Sequence, residues 1–397
     1  MNIQKSNLFL TSILFLYFLL LLSVANSLSI SPNEANIYYN QHHHILWYLT
    51  HFSTAIFGEN NIALRLPSII FYILSIVLMY ILTYNYFTKP QDRLISILIF
   101  MFLPGMNSAA LLVDGSIIVV FGTLLYLYIY KLYQKECYLL LFIFLFVDNS
   151  FAILFLGLFF YSLRKKDNIL LIVSLLLFGV SMQMYGFDMG GKPKGYFVDT
   201  FGIYASIFSP ILFLYFFYVI YRISIKGKKD IFWYISFTSL GLSLLFSLRQ
   251  QVYIGDFAPF VVIAVPMMVR VFLHSFRIRL KQFRNKHLLF AKIMLSVLLL
   301  NLIVVLFNKP LYLIIQNPKR HFAYKLHGID YVAQQLKSKG INKVVSSNLI
   351  LQKQLYFYGI KRGSHYYITR KKPLKYFKKI SIKYYKKPIK KFYIVKI

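Results

Sequence analysis

Acidic residues are what this chain has least of: 12 Asp and Glu stand against 45 Lys and Arg in 397 residues, a formal charge of +33. An AT-rich genome would account for abundant Lys, Ile, Asn, Tyr and Phe but would not deplete Asp and Glu codons, so the shortage belongs to the protein. One cysteine, Cys137, excludes an intramolecular disulfide. Charged residues make up only 14% of the chain while 58% is apolar and 19% aromatic, which excludes an ordinary soluble domain. The sequence has no Walker loop, no zinc HExxH and no Ser or Cys nucleophile motif, which counts against nucleotide-driven pumps and common hydrolases. No nucleic-acid module accompanies the basic charge, so membrane lipids, not nucleic acid, are the expected partner. Internal repeats and Gly/Ser- or Pro-rich linkers are also missing.

What the chain does have is long uncharged runs, each near the ~20 residues that cross a bilayer core. About eleven spans follow: 8–30, 66–87, 94–113, 115–133, 138–147, 150–163, 168–185, 201–221, 231–248, 257–275 and 288–307. The first is too long for a signal-peptide core and reads as a retained anchor. The short pair flanking Asp148-Asn149 reads either as tilted helices or as a re-entrant hairpin. The expected fold is therefore an all-α polytopic membrane domain over 1–307, followed by a basic C-terminal region over 308–397.

Lys5, Lys89, Arg93, Lys131, Lys135, Arg164 to Lys166, Arg222 to Lys229 and Arg277 to Lys286 fall on alternate loops, which assigns those loops to the cytoplasm. The opposite loops hold Glu34, Glu59, Asp114, Asp148, Asp188, Asp199 and Asp256, seven of the twelve acids. An odd number of spans leaves the tail outside as well, despite its 22 Lys and Arg against the single acid Asp330. In that tail, 326–339 has helical spacing with Gly340 as a stop, 342–347 reads as a strand, and the Tyr/Ile runs after Ser364 read as edge strands or a basic lipid-facing segment. A small α/β domain is expected.

The first external loop, 31–65, is too long to be a mere connector. Ile45, Leu49, Phe52 and Ile56 recur on one helical face, predicting a helix lying in the membrane interface. Glu34 reads as a general base held at the membrane surface, or as an N-terminal helix charge in SPNEA. His42 to His44 read as polar contacts to a phosphate or sugar, or as plain interfacial residues, because consecutive side chains diverge and no zinc spacing follows. Asp114 opens a span at the outer edge, where carboxylates are costly and suggest function. Arg249 reads as a bidentate phosphate ligand or as a snorkelling side chain.

In order, the stretches NEANIYYN, IFGENNIALRLPS, LPGMNSAALLVDGSIIVVFGTLLYLYIY and RQQVYIGDFAPFVVIAVP resemble the C-type (GT-C), polyprenyl-phosphate-dependent membrane glycosyltransferases. The likeness is to the branch of protein O-mannosyltransferases and lipid A aminoarabinose transferases. It departs from the family pattern where Asn33-Glu34 replaces a frequent Asp-Glu pair, and where QHHHIL replaces a Lys-Pro-Pro or His-Pro-Pro phrase.

The resemblance implies a GT-C-like fold in a bacterial inner (plasma) membrane, with its active site on the external face. There a sugar would pass, with inversion, from a polyprenyl-phosphate donor to an extracytoplasmic lipid, glycan or protein acceptor. Glu34 would be the base and Asp114 would orient the acceptor or help hold a divalent metal ion. Arg65, Arg249, Tyr253, Tyr38, His43 and His44 would contact donor phosphate or substrate. The rival reading is a lipid or glycolipid transporter or flippase, against which stand the missing inverted repeat and the absence of paired helix-breaking spans in matching halves.

Overall fold

The computed structural model describes residues 3–40, 45–186 and 189–396. Helices α1 (Ile3–Asn26), α2 (Pro32–Asn40), α3 (Ile45–Phe57) and α4 (Asn61–Leu82) come first. They are followed by α5 (Pro90–Met101), α6 (Pro104–Leu111), α7 (Ser116–Tyr133), α8 (Tyr138–Val147), α9 (Phe151–Lys165) and α10 (Asn168–Met184). Strand β1 (Met189–Gly190), α11 (Phe197–Phe208), α12 (Pro210–Lys226), α13 (Ile231–Ser247), β2 (Gln251–Val252), α14 (Ile254–Val262), α15 (Val265–Ile278) and α16 (Lys281–Leu306) complete the apolar part. The tail holds α17 (Leu311–Ile314), α18 (Ile329–Lys337), α19 (Leu349–Phe357), β3 (Tyr366–Thr369), β4 (Lys378–Tyr384) and β5 (Lys387–Lys396).

Every expected span coincides with helix, but not always with one straight helix. Among the described residues, four helices (α1, α4, α7 and α16) are long and apolar enough to cross a membrane, and bent pairs raise the number to as many as seven. The shorter apolar helices α8, α10 and α13 fall below that length. Three expected straight spans are broken, by 54° between α5 and α6, 105° between α11 and α12, and 43° between α14 and α15. Each break carries a proline, Pro104, Pro210 or Pro266, which removes a backbone donor and crowds the preceding turn. Ser209, just before Pro210, sits at φ 89°, well outside helix.

Polar side chains occupy the carbonyls near these breaks, as a dry environment requires. Asn107 donates to Met101 O and Leu103 O, both at 2.9 Å, and the Tyr72 hydroxyl also reaches Met101 O. Ser236 donates to Phe260 O at 2.8 Å. Close packing does the rest: a Cβ on Gly157 of α9 would lie 3.1 Å from the Ile235 backbone of α13, so glycine lets these two helices meet.

The chain divides into two compact units, one of residues 1–16, 70–110 and 114–302, the other of 17–69, 111–113 and 303–397. The second unit differs from the division expected at 307/308, because the tail folds together with the first loop. Its core joins Ile329, Val332 and Leu336 of α18 with Leu355, Ile368, Ile382, Phe392 and Ile394. The three tail strands run antiparallel in the order β3-β5-β4. Helix α18 ends ahead of Gly340 at φ +71°, as its sequence requires. The strand expected at 342–347 is reduced to isolated bridges, Lys343 to Lys361 and Val345 to Tyr367, since its short run meets a partner only at alternate points.

Candidate functional site

In the second unit the first loop is built around one ion pair. Ser31 and Glu34 form a reciprocal cap on α2: Glu34 N donates to Ser31 Oγ at 3.1 Å, and Ser31 N donates to Glu34 Oε2 at 2.7 Å. Pro32 fits the first helical turn that follows. Arg65 then places Nε on Glu34 Oε1 and Nη2 on Glu34 Oε2, both at 2.9 Å. Its remaining donors reach the carbonyls of Ala25 (3.0 Å), Leu28 (2.7 Å) and Ser29 (3.0 Å). Arg65 is 0% exposed and Glu34 1%.

All five guanidinium N–H groups are therefore used, and both carboxylate oxygens accept. In this arrangement Arg65 has no donor left for a donor phosphate, and Glu34 offers no accessible lone pair to an acceptor hydroxyl. Asn33, its neighbour, is exposed and carries an amide.

Tyr38 is buried on the inner side of α2. Its hydroxyl shares a 2.9 Å hydrogen bond with Thr54 and donates to Glu59 at 3.5 Å, while its ring stacks on His51 at 4.0 Å. Burial, with Glu59 nearby, pushes the phenol above its ordinary value. His43 and His44 lie outside the described residues. The tail closes on the same loop: Ser29 Oγ donates to Asp330 at 2.6 Å, Gln354 to Ile30 O at 2.6 Å, and the Tyr358 hydroxyl to Asn61 at 2.6 Å.

In the first unit, Asp114 is half-buried just ahead of α7, with Oδ1 accepting from Ser116 N at 2.9 Å. Arg249 is exposed beside the β1–β2 ribbon, and its carbonyl accepts from Lys194 N at 3.2 Å, which brings two cationic residues to one ribbon end. Tyr253 is 57% exposed where α14 begins. Ser150 also brings two carboxylates together, its Oγ 2.6 Å from Asp148 Oδ1 and 3.2 Å from Asp256 Oδ1, a convergence that no local pattern in the sequence shows. The only sequence signal was that both acids sit on outward loops. Among the described residues, no three His, Cys, Asp or Glu converge as metal ligands.

No family model matches the chain, nor does any curated protein's sequence. Among solved structures, the chain is similar to the apo crystal structure of ArnT from Cupriavidus metallidurans, at 11% identity and a TM-score of 0.53. The match covers 90% of this chain and 75% of that one. The fold is thus similar to that of ArnT, and its apolar helices make this a multi-pass membrane protein.

Proposed function

We propose that this protein is a membrane glycosyltransferase that moves a sugar from a polyprenyl-phosphate donor to an extracytoplasmic lipid, glycan or protein acceptor, with inversion. The observation that carries this reading is the ArnT-like fold over nine-tenths of the chain. ArnT is a lipid A aminoarabinose transferase, so the fold suits a lipid-linked sugar and a glycan or lipid acceptor. A glycosyl phosphoester carries its own driving force, which agrees with the missing nucleotide motif.

In this reading Glu34 and Arg65 position the first loop rather than touch substrate. Asp114, partly exposed and free of any cation among the described residues, takes the acceptor proton as the hydroxyl attacks the anomeric carbon and the lipid phosphate leaves. Arg249, with Lys194 at the same ribbon end, stabilises the charge growing on the departing phosphate. Tyr253, four residues further on and exposed where α14 begins, is the candidate for sugar contact.

The test is transfer of labelled sugar from polyprenyl-phosphate donors in proteoliposomes. Asp114→Asn should lower turnover by about 10²- to 10⁴-fold, the usual worth of a positioned base, with melting temperature held. Undiminished transfer would remove Asp114 from the chemistry, and lipid translocation without any transfer would overturn the enzyme reading.

A further inference from the structure

At the basic end of the first unit, a cavity of about 540 Å³ opens between the loop after α4, the α12–α13 turn and α15. It is lined by Arg222, Lys226, Lys228, Arg270 and Arg277, with Asp92 and Asp230 as the acids. Arg277 Nη2 holds both Asp92 oxygens at 2.6 Å. Asp230 caps α13 and accepts from the Tyr86 hydroxyl at 2.9 Å, and the Arg270 guanidinium lies 4.8 Å from the centre of the Tyr86 ring. Arg222, Lys226 and Lys228 pair with no carboxylate among the described residues; Arg222 donates only to the Tyr218 hydroxyl, at 3.2 Å. Three uncompensated cations thus face one cavity.

A second cavity, of about 200 Å³, adjoins the first and shares Leu273 with it. Its walls are apolar, from α5, α12, α15 and α16, and include Leu212, Phe272, Phe276 and Ala291. Helix α15 divides the two: Arg270, His274 and Arg277 recur at i, i+4 and i+7 toward the cationic cavity, and Val269, Phe272 and Phe276 form the neighbouring apolar stripe. A cationic cavity and a dry groove on either side of one helix match an amphiphile with an anionic head and a hydrocarbon tail. Guanidinium forks suit phosphate, and the bilayer supplies such molecules at high local concentration.

We propose that this paired cavity binds an anionic glycerophospholipid, its phosphate among Arg222, Lys226 and Lys228 and one acyl chain in the groove beside Phe272 and Phe276. The site is separate from the proposed sugar-transfer residues and stands whether or not transfer is observed. It lies on the face that the distribution of Lys and Arg assigns to the cytoplasm, where anionic lipids concentrate.

The full-length protein in nanodiscs of equal phosphatidylglycerol and phosphatidylcholine provides the test, with retained lipids counted by native mass spectrometry. The wild type should retain phosphatidylglycerol in preference. The triple variant Arg222→Gln, Lys226→Gln, Lys228→Gln should lose that preference by roughly ten- to a hundredfold, the combined effect expected of a few surface cations. Ala291→Trp, which fills the groove without altering charge, should lower lipid retention too, so a poorly folding triple variant does not remove the test. No preference in the wild type, or retention unchanged in Ala291→Trp, would overturn the proposal. Displacement of the lipid by excess inorganic phosphate alone would also overturn it, by making free phosphate the ligand.

Discussion

The position of Glu34 decides what its substitution can report. A carboxylate 1% exposed and held twice by a guanidinium 0% exposed cannot lose its charge without leaving that guanidinium buried and unpaired. Breaking such a pair costs about 3–5 kcal/mol. Glu34→Gln should therefore lower the melting temperature and the yield of folded protein together with any activity; a variant that melts like the wild type would return Glu34 to the list of bases. Asn33 offers the complementary experiment, because it is exposed and its side chain has no role in the cap. Asn33→Asp should leave both the melting temperature and transfer unchanged, since the chemistry rests on Asp114; a gain in transfer would bring the first loop to the acceptor. The cap itself is legible in SPNE, since Ser-x-x-Glu closes through local backbone geometry. The Glu34–Arg65 pairing, across 31 residues, is not, because nothing local distinguishes a base from an ion-pair partner.

At the scale of elements, hydropathy located the helices because lipid selects only for apolar length, and it missed the bends because a run keeps its hydropathy across a break. The prolines at 104, 210 and 266 were the available signal. Helix α3 shows a second limit. Its buried residues are Leu46, Thr50, Ser53 and Thr54, while Phe52 is 70% and Ile56 58% exposed, so its polar side packs inward and its apolar edge faces out. The periodic stripe is helical, as its spacing requires, and only burial reveals that it is unpacked against protein. An outward apolar edge is what a helix resting in the headgroup region requires. With Trp233→Phe leaving Trp47 as the one tryptophan, brominated lipids should quench its emission, and Phe52→Asp should reduce that quenching. Absence of quenching in the protein that keeps Phe52 would show that α3 does not lie on lipid.

For the whole molecule, the decisive fact is that the tail and the first loop form one compact unit, joined by Ser29–Asp330, Ile30–Gln354 and Asn61–Tyr358. Sequence could not show that joining, since the partners stand about 300 residues apart. The tail's charge then has a consequence inside its own fold. Lys390 is 4% exposed, with Nζ donating to His327 O at 2.7 Å and 4.5 Å from the centre of the Tyr324 ring. Burial, reinforced by Arg370 and only partly offset by Asp330, brings its ammonium down to about 7, and burial brings His327 down to about 3. In the unfolded chain lysine keeps its proton to about 10.4 and histidine to about 6.5. Between about 7 and 10 the unfolded state therefore holds the extra lysine proton and stability rises with pH; below 7 both states are protonated and the lysine penalty is constant. His327 adds a separate loss as pH falls from about 6.5 to 3, again because the unfolded state takes up the proton. Hydrogen exchange of tail amides in the intact protein, corrected for intrinsic rates, should show protection climbing above pH 7. Lys390→Met should abolish that climb while keeping the acid-side loss, because methionine fills the same buried space with no proton to lose; a climb that survives the substitution would assign it to a group other than Lys390.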